Sequence, residues 1–450
     1  MKFLNKQFTQ ETLKLALPVM LTQVGQVSVN LFDNIIVGKL LGAKALAAVS
    51  LGNAMFFSIF IFGLGFSLAI PPLVSEAHSQ HDHNRINSIF RHGFVVNIIL
   101  AFVLMLLIFG IIPLMPYLNQ PKEILPDTIT FLSIVTLSII PFMIFQTMRE
   151  VSEGLSFTIG VTKATIFANI INVILNYVFI EHFKMGVAGS AWATFIARVA
   201  MMVFLYYVLI KKKKTRRYIK DFSLKIKDFS KEMFEKLIRL GFPTALQLFF
   251  EVTAFAGAAF ICGLISAKDI AAHQIALSMA SFTFNLCVGF SVASTVMIGR
   301  KLGEKDFVNL EKVGFNNLKI AFIFMLMCGL VFILGKDVLP TFFTKKEDIA
   351  VVELASQLMI IAALFQLSDG IQVTALGCLR GIQDVKIPSI LTFIAYWVIT
   401  IPLGYYLTVP MKMGAFGMWI ALGIGLTISA VLLVIRFRNL SEKRIKAQSN

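Results

Sequence analysis

Three carboxylates stand inside segments that are otherwise apolar. Asp33 lies in LFDNIIVG (31–38), Glu251 in QLFFEVTAF (247–255) and Asp369 in ALFQLSDGIQV (363–373). An acid at the centre of a bilayer helix costs roughly 2.5–3.5 kcal/mol, and such residues usually mark ion or proton pathways. A buried carboxylate with no fixed partner can take up a proton, and once neutralised it no longer attracts a cation. Each acid also has a structural reading. Asp33 could pair with Asn34 or cap a half-helix near Gly38. Glu251 could satisfy backbone opened by Pro243, two turns earlier. Gly370 could break the helix beside Asp369. Arg198 is expected to be structural, either reaching towards the cytoplasm or facing Glu150 or Glu153.

The elements that carry these acids are membrane helices. Of 450 residues, 57% are hydrophobic and only 15% charged, and 43 are Phe. Soluble chains carry about a quarter charged residues. Charge-free runs such as those at 94–118, 129–148 and 164–180 approach the ~20 residues that a helix needs to cross ~30 Å of hydrocarbon. Period-two alternation is absent, which argues against a barrel. The expected fold is all-α and integral to the membrane, with twelve spans. They are placed near 12–37, 45–72, 90–115, 127–150, 160–181, 187–210, 237–263, 270–297, 314–336, 348–376, 386–408 and 413–436. No cleavable signal peptide is evident at the start.

The net charge of +16 does not point to nucleic acid. The run from 211 to 236 carries eleven Lys and Arg, and twelve crossings put it on the same face as both termini. That face then holds most of the basic residues, which makes it cytoplasmic. Cys262, Cys287, Cys328 and Cys378 lie at wide spacing in apolar segments and form neither a disulfide framework nor a CxxC site. His78, His81, Asp82 and His83 in HSQHDHNR do not match a zinc motif, and the stretch reads as a polar loop between spans 2 and 3.

The chain also repeats itself. KLALPVMLTQ (14–23) resembles KLIRLGFPTALQ (236–247), GAKALAAVSL resembles SAKDIAAHQI, GLGFSLA resembles CVGFSVA, GVTKATI (160–166) resembles QDVKIPSI (383–390), and GVAGSAW resembles GAFGMWI, with offsets of 223 to 228 residues. Six spans separate the copies. Two six-helix lobes related by a pseudo-two-fold axis along the membrane normal are therefore expected, a common plan for secondary transporters. The lobes are placed at 1–210 and 237–450, with 211–236 as a basic cytoplasmic linker. No channel filter motif is present.

Stretches along nearly the whole chain resemble the multidrug and toxic compound extrusion (MATE) family, in its NorM-like bacterial branch. They are 15–52, 153–180, GVAGSAWAT at 186–194, GFPTALQLFFE at 241–251, AAHQIALSMASFTF at 271–284 and QVTALGCLRGIQDVKIP at 372–388. The resemblance implies an antiporter that expels cationic amphipathic compounds in exchange for Na⁺ or H⁺. It places Asp33, Asn172, Asn176 and Thr194 in an N-lobe cation site, and Glu251 and Asp369 in a C-lobe site. Many relatives carry Asp where this chain has Asn176, so one charge is missing from the first site. Asn172 and Asn176 are four apart and share one helix face. Together with a carboxylate and a hydroxyl, they could supply a hard cation with oxygen ligands. Either set could hold Na⁺, and no bound cofactor is expected.

The expected partners are small cationic amphipathic molecules and membrane lipid, with the protein a monomer in the bacterial cytoplasmic membrane. A flippase for lipid-linked oligosaccharides is the nearest alternative function. Its cavity should be strongly cationic to hold pyrophosphate, whereas the mid-span charges here are mainly acidic. A membrane-embedded enzyme is a more distant alternative, since neither HExxH nor GxSxG appears.

Overall fold

The computed structural model describes residues 4–117, 121–225, 228–343 and 349–449. Sixteen α-helices occur among them. They are α1 (Lys6–Leu41), α2 (Ala43–Ser67), α3 (Ile70–Ser79), α4 (His83–Ile111), α5 (Leu125–Leu137), α6 (Ile139–Gly154), α7 (Thr158–Tyr177), α8 (Gly186–Lys211), α9 (Lys213–Lys220), α10 (Lys231–Gly263), α11 (Ala267–Gly303), α12 (Phe307–Gly335), α13 (Ile349–Gly381), α14 (Lys386–Phe393), α15 (Ile401–Thr408) and α16 (Gly414–Ser449). Eleven helical segments are long and apolar enough to cross a membrane. The bent pair α5–α6, with 43° between its halves, raises the number to twelve. The chain is thus a multi-pass membrane protein, as its hydropathy requires.

The helices outrun the apolar segments that mark them. The stretch expected to be a loop at 78–85 is mostly helix, because α3 runs to Ser79 and α4 starts at His83. Asp82 caps α4 by accepting from the Arg85 backbone N–H at 2.9 Å, which satisfies one of the free donors of a helix start. Among the described residues no group of three or more His, Cys, Asp or Glu gathers as it would around a metal ion.

The chain divides into two compact units, one of Leu21–Ala245 and one of Met1–Met20 with Leu246–Asn450. The divisions fall inside α1 and α10, close to Pro18 and Pro243, and not in the 211–236 segment. In the second unit the start of α1 is tied down by polar side chains. Thr12 Oγ1 donates to Asn317 Oδ1 at 2.6 Å, the Asn5 backbone N–H to Asn316 Oδ1 at 2.9 Å, and Arg300 pairs with Glu11 at 2.7 Å. Leu15, Ala16 and Met20 complete a core with Cys287, Phe290 and Val296. Amphipathic residues before the first span therefore pack against protein.

In that unit α11 and α13 pack backbone to backbone. A Cβ on Gly377 would clash with the carbonyl oxygen of Ser291. Ser291 Oγ donates to Val373 O at 2.7 Å and Thr295 Oγ1 to Gly377 O at 3.0 Å. Small residues that allow close approach, with hydroxyls bonding across helices, hold membrane helices together where lipid is as apolar as the partner. Gly370 contributes close packing against Met325 and does not break the helix, since α13 is continuous through it. In the other unit Val49, Phe56, Phe60, Leu104, Phe131 and Met143 form the core.

Candidate functional site

Asp33 lies in the last third of α1, which is continuous to Leu41, so neither a cap nor a break explains it. Its side chain is buried, and the amide Nδ2 of Asn176 donates to Asp33 Oδ1 at 2.5 Å. Asn172 stands one turn earlier on α7, and its Nδ2 faces Thr194 Oγ1 on α8 at 3.5 Å. The four residues expected to form the first cation site thus come together in one unit. The Oδ1 atoms of both Asn172 and Asn176 are buried without a hydrogen-bond partner among the described residues. Buried polar atoms are normally satisfied. Two orphan amide oxygens beside one carboxylate and one hydroxyl make a donor set that suits a small hard cation, which binds through several oxygens.

Asp33, Asn172 and Thr194 open onto a cavity of about 440 Å³. Gln26, Asn30, Asn53 and Asn169 supply further amides to its wall, and Phe56, Phe57, Phe60, Phe142 and Met201 supply apolar surface. Large apolar pockets with a few convergent polar groups are the usual form of a small-molecule site. Unbranched and aromatic side chains can adapt to ligands of different shape.

Arg198 lines the same cavity, which corrects the expectation for this residue. It neither reaches towards an end of α8 nor meets Glu150 or Glu153. Its Nη1 donates to Ser138 Oγ at 2.6 Å, and its guanidinium lies 4.7 Å from the Phe56 ring centroid and 5.1 Å from that of Phe142. Cation–π contacts of this kind attract a guanidinium to an aromatic face. Glu153 pairs instead with Arg149, one turn away on α6, at 2.8 Å, and Gln146 donates to Glu150 at 2.6 Å. A signal for the true placement is present in the sequence. Arg198 falls at the midpoint of α8, too far from either end for its side chain to reach the interface at 1.5 Å of rise per residue.

The second acidic site lies wholly within the other unit. Glu251 on α10 and Asp369 on α13 are both buried and lie within each other's electrostatic reach. Tyr396 joins them. Its hydroxyl donates to Gln372 Oε1 at 3.0 Å and lies 3.5 Å from Glu251 Oε1. Gln372 is one turn beyond Asp369, so the three elements converge on one spot. Tyr396 sits on a π-helical stretch, Ile394–Thr400, and such wide turns recur at functional sites. Tyr396 and Gln372 had no distinguishing sequence signal; a Tyr and a Gln in apolar runs read as packing until their partners are known. Arg380 lies three turns along α13 from Asp369 and is likewise buried.

Each site can exist bare or neutralised. A bare carboxylate attracts a cationic ligand, while one holding a proton or an alkali ion does not. Two ligands that exclude each other at one site have a positive, unfavourable coupling free energy, which is the thermodynamic requirement for exchange.

Known proteins resemble the chain over nearly its whole length. Residues 18–178 and 243–406 match the model of the MatE family. Multidrug resistance protein NorM of Photobacterium profundum is 32% identical over 439 residues, covering 96% of this chain and 95% of its own length. Multidrug resistance protein MdtK of Yersinia pseudotuberculosis is 30% identical over 440 residues, covering 96% and 95%. A crystal structure of MATE in the bent conformation superposes with a TM-score of 0.89 at 20% identity, covering 98% of this chain and 97% of that one. The eukaryotic MATE transporter AtDTX14 superposes with a TM-score of 0.87 at 17% identity, covering 98% and 99%. These two likenesses speak for the fold.

Proposed function

The chain belongs to the MatE family, and from that premise we propose that it is a secondary active antiporter, not an enzyme, which expels cationic amphipathic drugs or toxins in exchange for Na⁺ or H⁺. The observation that carries this reading is the 440 Å³ cavity, whose wall combines the Asp33 carboxylate, several amides and a cluster of Phe rings. An amphipathic cation finds there both an anion and an aromatic surface. NorM and MdtK relatives described as multidrug resistance proteins support the same substrate class.

In this reading Asp33, with Asn172, Asn176 and Thr194, holds the coupling ion in the first unit. Glu251 and Asp369, with Tyr396 and Gln372, form the second coupling site. The ion is exchanged and not retained, so no resident cofactor is involved. The protein works as a monomer in the cytoplasmic membrane of a bacterial cell, with both termini and the basic 211–236 segment in the cytoplasm. The lipid-flippase reading is not favoured. Its pyrophosphate-bearing substrate calls for several cations in the cavity, whereas the described wall of this one carries one guanidinium, that of Arg198, along with the Asp33 carboxylate.

The test is reconstitution in liposomes loaded with a cationic dye, with an imposed Na⁺ gradient in one arm and an imposed H⁺ gradient in the other. Dye movement driven by either gradient supports antiport. If neither gradient moves the dye, the proposal fails.

A further inference from the structure

Several cations in the loops and helix ends have carboxylate partners. Arg85 pairs with Glu76, Arg300 with Glu11, Lys301 with Glu304 and Asp306, Arg436 with Asp384 and Arg438 with Glu442. One group does not. The lysines at 211–214, Arg216, Arg217 and Lys220 are all exposed, and none of the seven is in an ion pair among the described residues. They stand at the end of α8 and along α9, the helix that leaves the last span of the first repeat.

This basic stretch is not a loose tether. Thr215 and Tyr218, one turn apart on α9, are buried. Thr215 Oγ1 donates to Leu209 O at 2.7 Å. Tyr218 lines a small pocket together with Phe90, Met148, Val151 and Leu155, and its hydroxyl is 2.9 Å from His83 Nδ1. The segment after it is strapped to the same helix, α4. Phe222 packs on Phe90 and Phe94, Arg91 donates to Asp228 O at 2.8 Å, and the Ser230 N–H donates to His92 Nε2 at 2.9 Å. One face of α9 is thus fixed to protein, and the opposite face holds its charges outward. Lys211 and Lys212 are oriented by the rings of Tyr207 and Phe157, at 4.4 and 4.0 Å.

We propose that α9 and the end of α8 form a docking surface for anionic phospholipid, with cations that have no carboxylate partner binding the phosphodiester headgroups of the leaflet into which α8 runs. Charge complementarity names the partner. Seven cations with no internal counter-ion lie directly beyond a membrane span, and a headgroup layer is the anionic surface found there. Clusters of four to eight Lys and Arg next to a span recognise acidic lipid in this way. The anchoring of α9 makes this a built surface, because its orientation is set by Thr215 and Tyr218 and not by the lipid. The proposal is independent of the transport reading and is tested by binding alone.

The test titrates the purified full-length protein in neutral detergent with fluorescent phosphatidylglycerol and, separately, fluorescent phosphatidylcholine. Wild type should prefer phosphatidylglycerol by about tenfold or more, and ~0.5 M NaCl should remove most of that preference, since exposed charges are screened by salt. The variant K212Q/K213Q/R216Q/R217Q should lose at least about fivefold in phosphatidylglycerol binding, whereas K212R/K213R/K214R should bind as wild type. The variant K225Q/K231Q/K236Q, which removes charge elsewhere in the linker, should also bind as wild type. Tyr218→Ala keeps every charge but unseats the helix, and should weaken binding about threefold. Melting temperatures recorded for each variant exclude loss of fold. Equal loss in the K225Q/K231Q/K236Q variant, or unchanged binding by the 212–217 variant, overturns the proposal. So does displacement of the lipid by millimolar inorganic phosphate, which would identify a soluble anion as the ligand.

Discussion

Replacing Asn176 by Asp should change how strongly the first unit binds a coupling ion. In the native protein Asn176 Nδ2 donates to Asp33 Oδ1 at 2.5 Å, so the carboxylate has one fixed neutral donor. In Asn176→Asp that donor becomes a second carboxylate at hydrogen-bonding distance. Losing a hydrogen bond to a charged group costs about 1.5–3 kcal/mol. Two unit charges about 4 Å apart repel by roughly 4 kcal/mol at the effective dielectric of partly buried sites. A proton or Na⁺ bound between them removes both penalties. The repulsion alone corresponds to about a thousandfold tighter hold on a neutralising cation, at about 1.36 kcal/mol per decade. The orphan amide oxygen of Asn172 would complete the ligand set for Na⁺. The assay is dye efflux from liposomes, with external Na⁺ varied at fixed pH and pH varied at fixed Na⁺. The variant should saturate at far lower Na⁺ or H⁺ than wild type, and efflux should slow as ion release becomes limiting. An ion dependence identical to wild type would show that the carboxyl of residue 176 does not share a ligand with Asp33, and the first-unit site would have to be redrawn.

Three further outcomes follow from the same structure. Asp33→Asn should reduce efflux at least about tenfold with little change in melting temperature, because the side chain keeps its shape and loses its charge; normal dye export by the folded variant would make Asp33 structural. Glu251→Gln and Asp369→Asn, combined, should cost little more efflux than the worse single change if the two buried acids couple as one site; strictly additive losses across a pH series would separate them. Gly377→Ala drives a methyl into the Ser291 carbonyl and should destabilise the folded protein by about 1–3 kcal/mol, read as a lower melting temperature in detergent; an unchanged value would mean that α11 and α13 can separate without strain.

The class of protein and most of its acidic positions could be read from the chain alone. Hydropathy requires helices, because backbone polar groups in hydrocarbon must be satisfied within their own segment. Asp33, Glu251 and Asp369 stood out because a charge in an apolar run is expensive wherever the rest of the fold lies. The repeat at 223–228 residues showed two related halves without coordinates. Which polar side chains meet across helices could not be read in this way. Asn176 bonding to Asp33, and Tyr396 bridging Gln372 and Glu251, depend on helix rotation and on the wide turn at Ile394–Thr400, which no spacing rule encodes. Arg198 shows the same limit from the other side. Its mid-span position was legible, but whether a guanidinium there turns to Glu153, to water or into a cavity is decided by what the neighbouring helices offer. Ser138 lies at the α5–α6 bend, and Phe56 comes from a third helix, α2. The unit boundaries near Pro18 and Pro243 likewise followed from packing, since the first turns of α1 find their polar partners on α11 and α12. Local periodicity and side-chain cost are properties of the chain, whereas the partner that satisfies a buried polar atom is a property of the assembled helices.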